Sequence, residues 1–107
     1  MGAGRRLRQK SHFERLLRRG MRRTLDGYTF YLDRRDGGPA RLGLLVTRRH
    51  ASRANVRNHI KRCIREAFRL EQHQLGPLDM LVRPPLGVEP SPAMIVQVRR
   101  LLGRLVK

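Results

Sequence analysis

A chain of 107 residues fits a single domain, and a hydrophobic fraction of 39% is enough for one modest core. With 25 Lys and Arg against 8 Asp and Glu, the formal net charge is +17, which predicts a polyanionic partner, foremost a nucleic acid. A membrane is disfavoured as the partner, because the cations are spread along the whole chain and no apolar run reaches the roughly 18 residues of a transmembrane helix.

The N-terminal region predicts a basic arm and then a short helix. Residues 1–10, MGAGRRLRQK, are expected to be mobile. Ser11, with Glu14 at capping-box spacing, predicts an N-cap, and Gly20 predicts a stop, so the helix should cover residues 12–19. Its apolar residues are Phe13, Leu16 and Leu17.

Strands are predicted after this helix. Residues 21–25 form a short one, and residues 28–35 alternate in polarity as a half-buried strand does. The alternation places Tyr28, Phe30 and Leu32 on one face and Thr29, Tyr31 and Asp33 on the other. The turn DGGP at 36–39 precedes a more buried strand at 41–47, and these two strands are expected to pair as an antiparallel hairpin.

The longest predicted helix begins between Ser52 and Asn55, after a loop at 48–53, and ends near His73. Its apolar side chains fall within an arc of roughly 140°, the width of a core-facing stripe, which a disordered basic tail would lack. The stripe comprises Val56, Ile60, Cys63, Ile64, Ala67 and Phe68. The opposite side carries Asn58, Lys61, Arg62, Arg65 and Arg69, with Arg57 at the border. The chain has one cysteine, which cannot form an internal disulfide and so fits a reducing compartment.

The C-terminal third predicts a strand at 78–83 and a loop at 84–92. Ser91 is the expected cap and Pro92 the first residue of a last helix. Its apolar positions are Met94, Ile95, Val98, Leu101, Leu102 and Leu105. The order α-β-β-β-α-β-α predicts an α+β two-layer sandwich in which helices pack on a four-stranded sheet.

Catalytic and metal sites are disfavoured. The four histidines share no metal-ligand spacing with one another or with the cysteine. The acids Asp33, Asp36, Glu66 and Asp79 are interpreted as turn or surface residues, and no two of them are placed for acid–base chemistry. An enzyme that relies on its own side chains is therefore the weaker hypothesis.

Phe13 and Tyr31 suggest a second binding surface. If Phe30 is in the core, Tyr31 faces outward or into a cleft, and exposed rings beside a basic helix are typical of single-stranded nucleic-acid binding. The alternatives are ordinary core packing for Phe13 and a singly exposed tyrosine for Tyr31.

Residues 41–69, RLGLLVTRRHASRANVRNHIKRCIREAFR, resemble the bacterial ribonuclease P protein component. The family pattern is a strand of R-[LIV]-G-[LF]-x-V type, two basic residues, a loop and then R-N-R-x-K-R-x-x-R-[EQ]-x-[FY] on a helix. The matching helix positions are Arg57, Asn58, Lys61, Arg62, Arg65, Glu66 and Phe68. His59 replaces the second Arg of the family's R-N-R, and Leu17 stands where some relatives carry a second aromatic residue.

The resemblance implies a ribosomal-protein-like fold with a left-handed β-α-β crossover, and a subunit without catalytic residues. An RNA subunit with bound Mg²⁺ would hydrolyse the bond between the 5′ leader and mature tRNA, and no cofactor would be held by protein side chains. The implied RNA-subunit-binding residues are Arg53, Arg57, Asn58, His59, Lys61, Arg62, Arg65 and Arg69. The implied leader-binding cleft comprises Phe13, Leu17, Thr29 and Tyr31. The expected partners are ribonuclease P RNA and precursor tRNA in the cytoplasm, without a membrane or an obligate protein partner.

The sequence leaves two alternatives to this function. A ribosomal or other structural RNA-binding protein explains the size, charge and fold class, but not the spacing within residues 54–69. A DNA-binding helix would call for dimerisation signals or a helix-turn-helix pattern, and the sequence has neither.

Overall fold

The computed structural model describes residues 10–106. In chain order its elements are α1 (Lys10–Arg19), β1 (Met21–Leu25), β2 (Tyr28–Arg34), β3 (Arg41–Leu44), α2 (Ala54–Leu75), β4 (Leu78–Arg83) and α3 (Pro92–Leu105). The predicted α-β-β-β-α-β-α order of an α+β fold with a four-stranded sheet is therefore confirmed.

The strands lie in the order β1-β2-β4-β3, so the last strand of the chain occupies an interior position. β2 pairs antiparallel with β1 and β4, whereas β3 pairs parallel with β4. The predicted antiparallel hairpin between residues 28–35 and 41–47 is therefore wrong. Met80, Leu81 and Val82 of β4 are all buried, so both faces of this strand are covered. A strand of this kind favours an interior position, and β4 lies between β2 and β3.

The connection from β3 through α2 to β4 joins two neighbouring parallel strands. This is the β-α-β unit that the family resemblance implies. The left-handedness of the crossover stays a prediction. Because α2 is the connection itself, the position of this helix is fixed by the sheet at both of its ends.

Helices cover both faces of the sheet. The main core lies beneath α2 and α3, and its buried strand residues are Tyr28, Phe30, Leu42, Leu78, Met80 and Val82. On the other face, Tyr31 and Leu81 pack with Leu16 of α1. Alternation along each strand thus supplies two apolar surfaces, one large and one small.

The start of α1 differs from the sequence prediction. Lys10 is already helical, so Ser11 lies inside the helix and is not its N-cap. The Lys10 ammonium lies 4.0 Å from Glu14 Oε1, so these two residues lie one turn apart on the same side of the helix. The predicted mobile arm at residues 1–10 otherwise lies outside the described residues.

Two other helix ends agree with the sequence. The Gly20 N–H donates to the Leu16 carbonyl at 2.9 Å, and a Cβ at Gly20 would lie 2.5 Å from that oxygen. Only glycine therefore fits this close approach at the end of α1. Ser91 Oγ accepts a hydrogen bond from the Met94 N–H at 3.3 Å, which confirms the predicted cap of α3.

Candidate RNA interface

The predicted two-sided character of α2 is confirmed. Ile60, Cys63, Ile64, Ala67 and Phe68 are all buried against the sheet and α3. On the opposite side Asn58, Arg62 and Arg69 are exposed, and Lys61 and Arg65 are half-buried. The buried stripe fixes the rotation of the helix about its axis, so the polar side must face away from the core.

Arg57 has a structural contact as well as a charge. Its Nη1 donates to the carbonyl oxygens of Ala51 and Ser52, each at 3.0 Å. Arg53 occupies the N-cap of α2 and forms no side-chain cap bond. The two hydrogen bonds of Arg57 instead join the preceding loop to the first turn of the helix. The border position predicted for Arg57 agrees with its half-buried side chain.

A groove of about 540 Å³ runs along α2 beside α3. Its lining residues are His59, Arg62, Cys63, Arg65, Glu66, Arg69 and Ile95. Half of the predicted RNA-subunit-binding residues thus line one groove, while Arg53, Arg57, Asn58 and Lys61 lie outside it. The groove combines a row of cations with an apolar floor, which suits a strand of sugar-phosphate backbone.

Glu66 and Arg69 form a two-bond pair at the rim of this groove. Arg69 Nη2 lies 2.5 Å from Glu66 Oε1, and Arg69 Nε lies 3.1 Å from Oε2. The hydrogen bond to Arg69 lowers the pKa of Glu66, and the same bond raises the pKa of Arg69. The carboxylate therefore stays charged at neutral pH and holds the Arg69 guanidinium against the helix.

The predicted leader cleft is only partly open. Thr29 and Tyr31 lie on the α1 face of β2, as the alternation predicts, but they are only 3% and 7% exposed. Leu17 is 45% exposed, and Phe13 is half-buried with its ring against Gly43. A Cβ at Gly43 would lie 2.9 Å from this ring.

The expectation that Tyr31 is a stacking surface facing outward or into a cleft needs correction. The direction relative to Phe30 is right, but α1 covers the ring, which packs with Leu16 and Leu81. Strand alternation assigns a side chain to a face, but it does not show which helix covers that face. The accessible apolar surface here is formed by Leu17 and the outer part of Phe13.

A second pocket, of about 490 Å³, lies where β4 ends, and we call it the β4-end pocket. Its lining residues are Gly27, Leu45, Thr47, Arg49, His50, Arg83, Pro84, Pro85 and Leu86. The sequence analysis missed it, because its residues come from the β1–β2 turn, the loop after β3 and the segment after β4. The Arg-rich loop at 48–53 is the one sequence feature that points to this pocket, and its sequence by itself predicts only a connection.

His50 is 7% exposed in this pocket. Its Nδ1 accepts a hydrogen bond from the Thr47 N–H at 2.9 Å, so the neutral ring carries its proton on Nε2. Burial lowers the pKa of His50, and the guanidinium groups of Arg83 and Arg49 act in the same direction. The backbone of Pro84 and Thr47 opposes this shift without reversing it.

Asp79 is a correction to the interpretation of the acids. It is buried rather than on the surface, and Arg41 binds its carboxylate through two hydrogen bonds of 2.7 and 2.9 Å. Arg35 Nε lies 3.1 Å from the same carboxylate. Asp33, its cross-strand neighbour, lies 3.3 Å from Arg15. These acids hold arginines in place across the sheet and α1.

Comparison with known proteins places the chain in a family. A family model described as Ribonuclease P matches residues 1–106. The chain belongs to this family. Among family members named Ribonuclease P protein component, the one from Acinetobacter baylyi is 52% identical over 50 residues, which are 47% of this chain and 38% of that protein. The one from Saccharophagus degradans is 43% identical over 70 residues, 65% of this chain and 50% of that protein. The matches thus span half or less of the length of these curated relatives.

Solved structures of the family share the fold. The ribonuclease P protein from Thermotoga maritima has a TM-score of 0.77 at 25% identity, covering 95% of this chain and 94% of that one. The Staphylococcus aureus protein has a TM-score of 0.71 at 24% identity, covering 95% and 92% of the two chains. The family assignment and the fold therefore rest on nearly the whole chain.

Proposed function

We propose that this chain acts as the protein subunit of a ribonuclease P ribonucleoprotein, in which an RNA subunit cleaves the 5′ leader from precursor tRNA. The observation that carries the proposal is the cationic groove along α2 in a member of this family. Its arginines stand on a helix whose rotation is fixed by a buried stripe, so they form a persistent row. Such a row can follow consecutive phosphates of a folded RNA.

The charge of the chain explains why such a subunit would help catalysis. The RNA subunit and the precursor are both polyanions, and their approach is opposed by electrostatic repulsion. A protein of formal charge +17 reduces this repulsion and lowers the Mg²⁺ concentration needed for assembly. The chemistry itself stays with the RNA subunit and its Mg²⁺, so the protein contributes binding and charge.

The α1 face supports a role in substrate choice. Only the precursor carries a leader, so contacts to unpaired leader nucleotides favour precursor over product without base-specific readout. Leu17 and the half-buried Phe13 supply an accessible apolar surface for such contacts. Tyr31 lies in the buried cluster against which Phe13 packs. Thr29, on the same face of β2, lies next to the Arg83 guanidinium, whose Nη2 is 3.4 Å from Thr29 Oγ1.

Within residues 10–106, no group of three His, Cys, Asp or Glu side chains is arranged to hold a metal ion. No helix in the same range has the length and apolar character needed to cross a membrane. We place the essential Mg²⁺ on the RNA subunit and the assembled particle in the cytoplasm, where the buried thiol of Cys63 stays reduced.

Cleavage of precursor tRNA tests the proposal directly. The full chain is added to a bacterial ribonuclease P RNA at low Mg²⁺, and the rate of 5′ leader release is measured with and without the protein. A strong increase is expected with the RNA subunit, and no cleavage is expected from RNA-free protein. Tight binding to ribosomal RNA, with no effect on cleavage, would favour a structural RNA-binding protein instead.

A further inference from the structure

The outer edge of β1 is open in this fold. Among the strands that the structure describes, β1 is the first in the sheet and pairs with β2 alone. A two-residue turn with positive φ at both positions joins these strands, so Leu25 and Tyr28 form a hydrogen-bonded pair. Such pairs alternate along an antiparallel ladder, so the backbone N–H and C=O groups of Arg22 and Thr24 point away from β2.

A pocket of about 610 Å³ lies beside this strand, and we call it the β1-edge pocket. It is on the main-core face of the sheet, because Leu32 and Leu78 in its lining belong to that core. The full lining comprises Arg19, Met21, Arg23, Leu32, Asp33, Arg34, Leu78 and Leu105. Met21 is 66% exposed, so an apolar side chain lies in solvent between the open edge and the pocket. Exposed apolar surface beside a pocket is typical of an interaction site.

The surroundings of this edge are cationic on both faces. Arg23 Nη1 lies 3.4 Å from the carbonyl oxygen of the last residue of α3, and Arg34 Nη1 lies 3.2 Å from that of the last residue of α2. Each bond uses one nitrogen of a group with five N–H donors, so both guanidinium groups are positioned and can still bind a carboxylate. The acid in the lining, Asp33, lies 3.3 Å from Arg15. Arg22 is exposed on the opposite, α1 face.

A further strand on β1 would use all of these features. Its backbone would pair with the outward groups of Arg22 and Thr24. Its side chains would point alternately toward the β1-edge pocket, which has an apolar floor, and toward the face that carries Arg22. We propose that the open edge of β1 binds an extended segment of a protein partner, in which apolar and acidic residues alternate, as a fifth strand of the sheet.

Other occupants fit this edge less well. The phosphates of RNA are acceptors only, so they leave the outward carbonyl groups of β1 without donors and gain nothing from the apolar floor. A second copy of the chain would bring a further formal charge of +17 to a surface that is already cationic. An acidic polypeptide supplies donors, acceptors, apolar side chains and the opposite charge. The inference does not rest on the proposed function, because the edge lies on different elements from the groove along α2.

The first experiment uses the full chain and a hexapeptide of alternating valine and glutamate residues, at about 150 mM salt to screen weak charge contacts. Backbone hydrogen exchange is followed by NMR. We expect the amide hydrogens of Arg22 and Thr24 to exchange more slowly with the peptide bound, because they become paired. The same peptide with every backbone amide N-methylated keeps its charge but cannot pair, and should give no such protection. Equal binding of the two peptides would show that charge alone holds them and would overturn the proposal.

The second experiment blocks the edge itself. Thr24→Pro removes an outward donor and places the proline ring on the open edge, while the hydrogen-bonded pairs with β2 stay in place. It should weaken peptide binding by at least about tenfold. Thr24→Val is the matched control, since it keeps the amide at the same exposed position, and should change binding by less than about twofold. Equal affinities of the two variants would refute pairing at this edge. If Thr24→Pro does not fold, the N-methylated peptide decides the question on the wild-type chain.

Hexauridylate, a six-nucleotide RNA, provides the third arm and separates a protein partner from a nucleic acid. We expect it to leave the exchange of the Arg22 and Thr24 amides unchanged and to shift signals of α1 or α2 instead. Slower exchange of these two amides at a lower concentration of hexauridylate than of peptide would make the edge an RNA site, and the proposed protein partner would be excluded.

Discussion

Arg57 and Arg62 carry the same charge on the same helix, yet the structure predicts different consequences for their removal. Arg57 donates to the carbonyl oxygens of Ala51 and Ser52, whereas Arg62 is exposed at the groove beside α3. Each bond from a charged donor contributes roughly 1 kcal/mol when it is partly exposed to solvent. Arg57→Ala should therefore lower the free energy of unfolding by about 1–2 kcal/mol. Arg62→Ala should change it by less than about 0.5 kcal/mol.

Both variants should weaken binding to the RNA subunit. Each removes about one phosphate contact, so the slope of log affinity against log salt should fall by roughly 0.7–0.9. A typical domain has about 5–15 kcal/mol of stability, so even Arg57→Ala stays folded and its affinity can be measured. The change in folding stability and the change in RNA affinity can thus be measured separately in the same two variants.

The assay combines urea unfolding of the free protein with dissociation constants for the RNA subunit at several salt concentrations. Arg104→Ala, an exposed change in the last turn of α3, controls for loss of net charge alone. Equal stabilities for Arg57→Ala and Arg62→Ala would refute the assigned role of Arg57 in the loop. Wild-type salt slopes for both would show that this side of α2 is only a solvated surface.

Further predictions concern the α1 face and the β4-end pocket. Tyr31→Ala should lower the free energy of unfolding by about 3–5 kcal/mol, measured in urea, because a buried ring is removed. Leu17→Ala should weaken binding of precursor but not of mature tRNA to the holoenzyme; equal losses would exclude α1 from the leader surface. Gly43→Ala should cost about 1–3 kcal/mol by displacing the Phe13 ring, and wild-type stability would contradict that packing. Because burial lowers the pKa of His50, its stabilising contribution is present above pH about 6.5 and is lost as the pH falls through the lower folded value. Unfolding measured from pH 8 to 5 should show this loss, and His50→Phe should reduce it.

Features set by local periodicity could be predicted from the sequence. The buried stripe of α2 repeats every three or four residues, and the cap at Ser91 depends on a bond within one turn. Such patterns are complete within a short segment. The element order and the cationic side of α2 followed from them.

Features set by distant partners could not be predicted in the same way. The hairpin prediction failed because β3 finds its partner in β4, beyond the whole of α2. The burial of Tyr31 depends on where α1 docks, and the role of Asp79 depends on Arg35 and Arg41. The β4-end pocket gathers three separate connections. None of these contacts leaves a periodic signal in the segment that contains it.

The interior position of β4 also determines when this fold can form during synthesis. The β1–β2 hairpin can form early. β2 and β3 do not pair with each other, so the sheet cannot be completed until residues 78–83, which form β4, have left the ribosome. Until then the inner edge of β2 and the apolar stripe of α2 lack their partners, and long-range pairing of this kind slows folding. Because a ligand that binds only the folded state stabilises it, an RNA bound to the cationic side of α2 would also stabilise the completed sheet. If the proposed function is right, a nascent chain near the RNA subunit would thus gain folding stability from assembly itself.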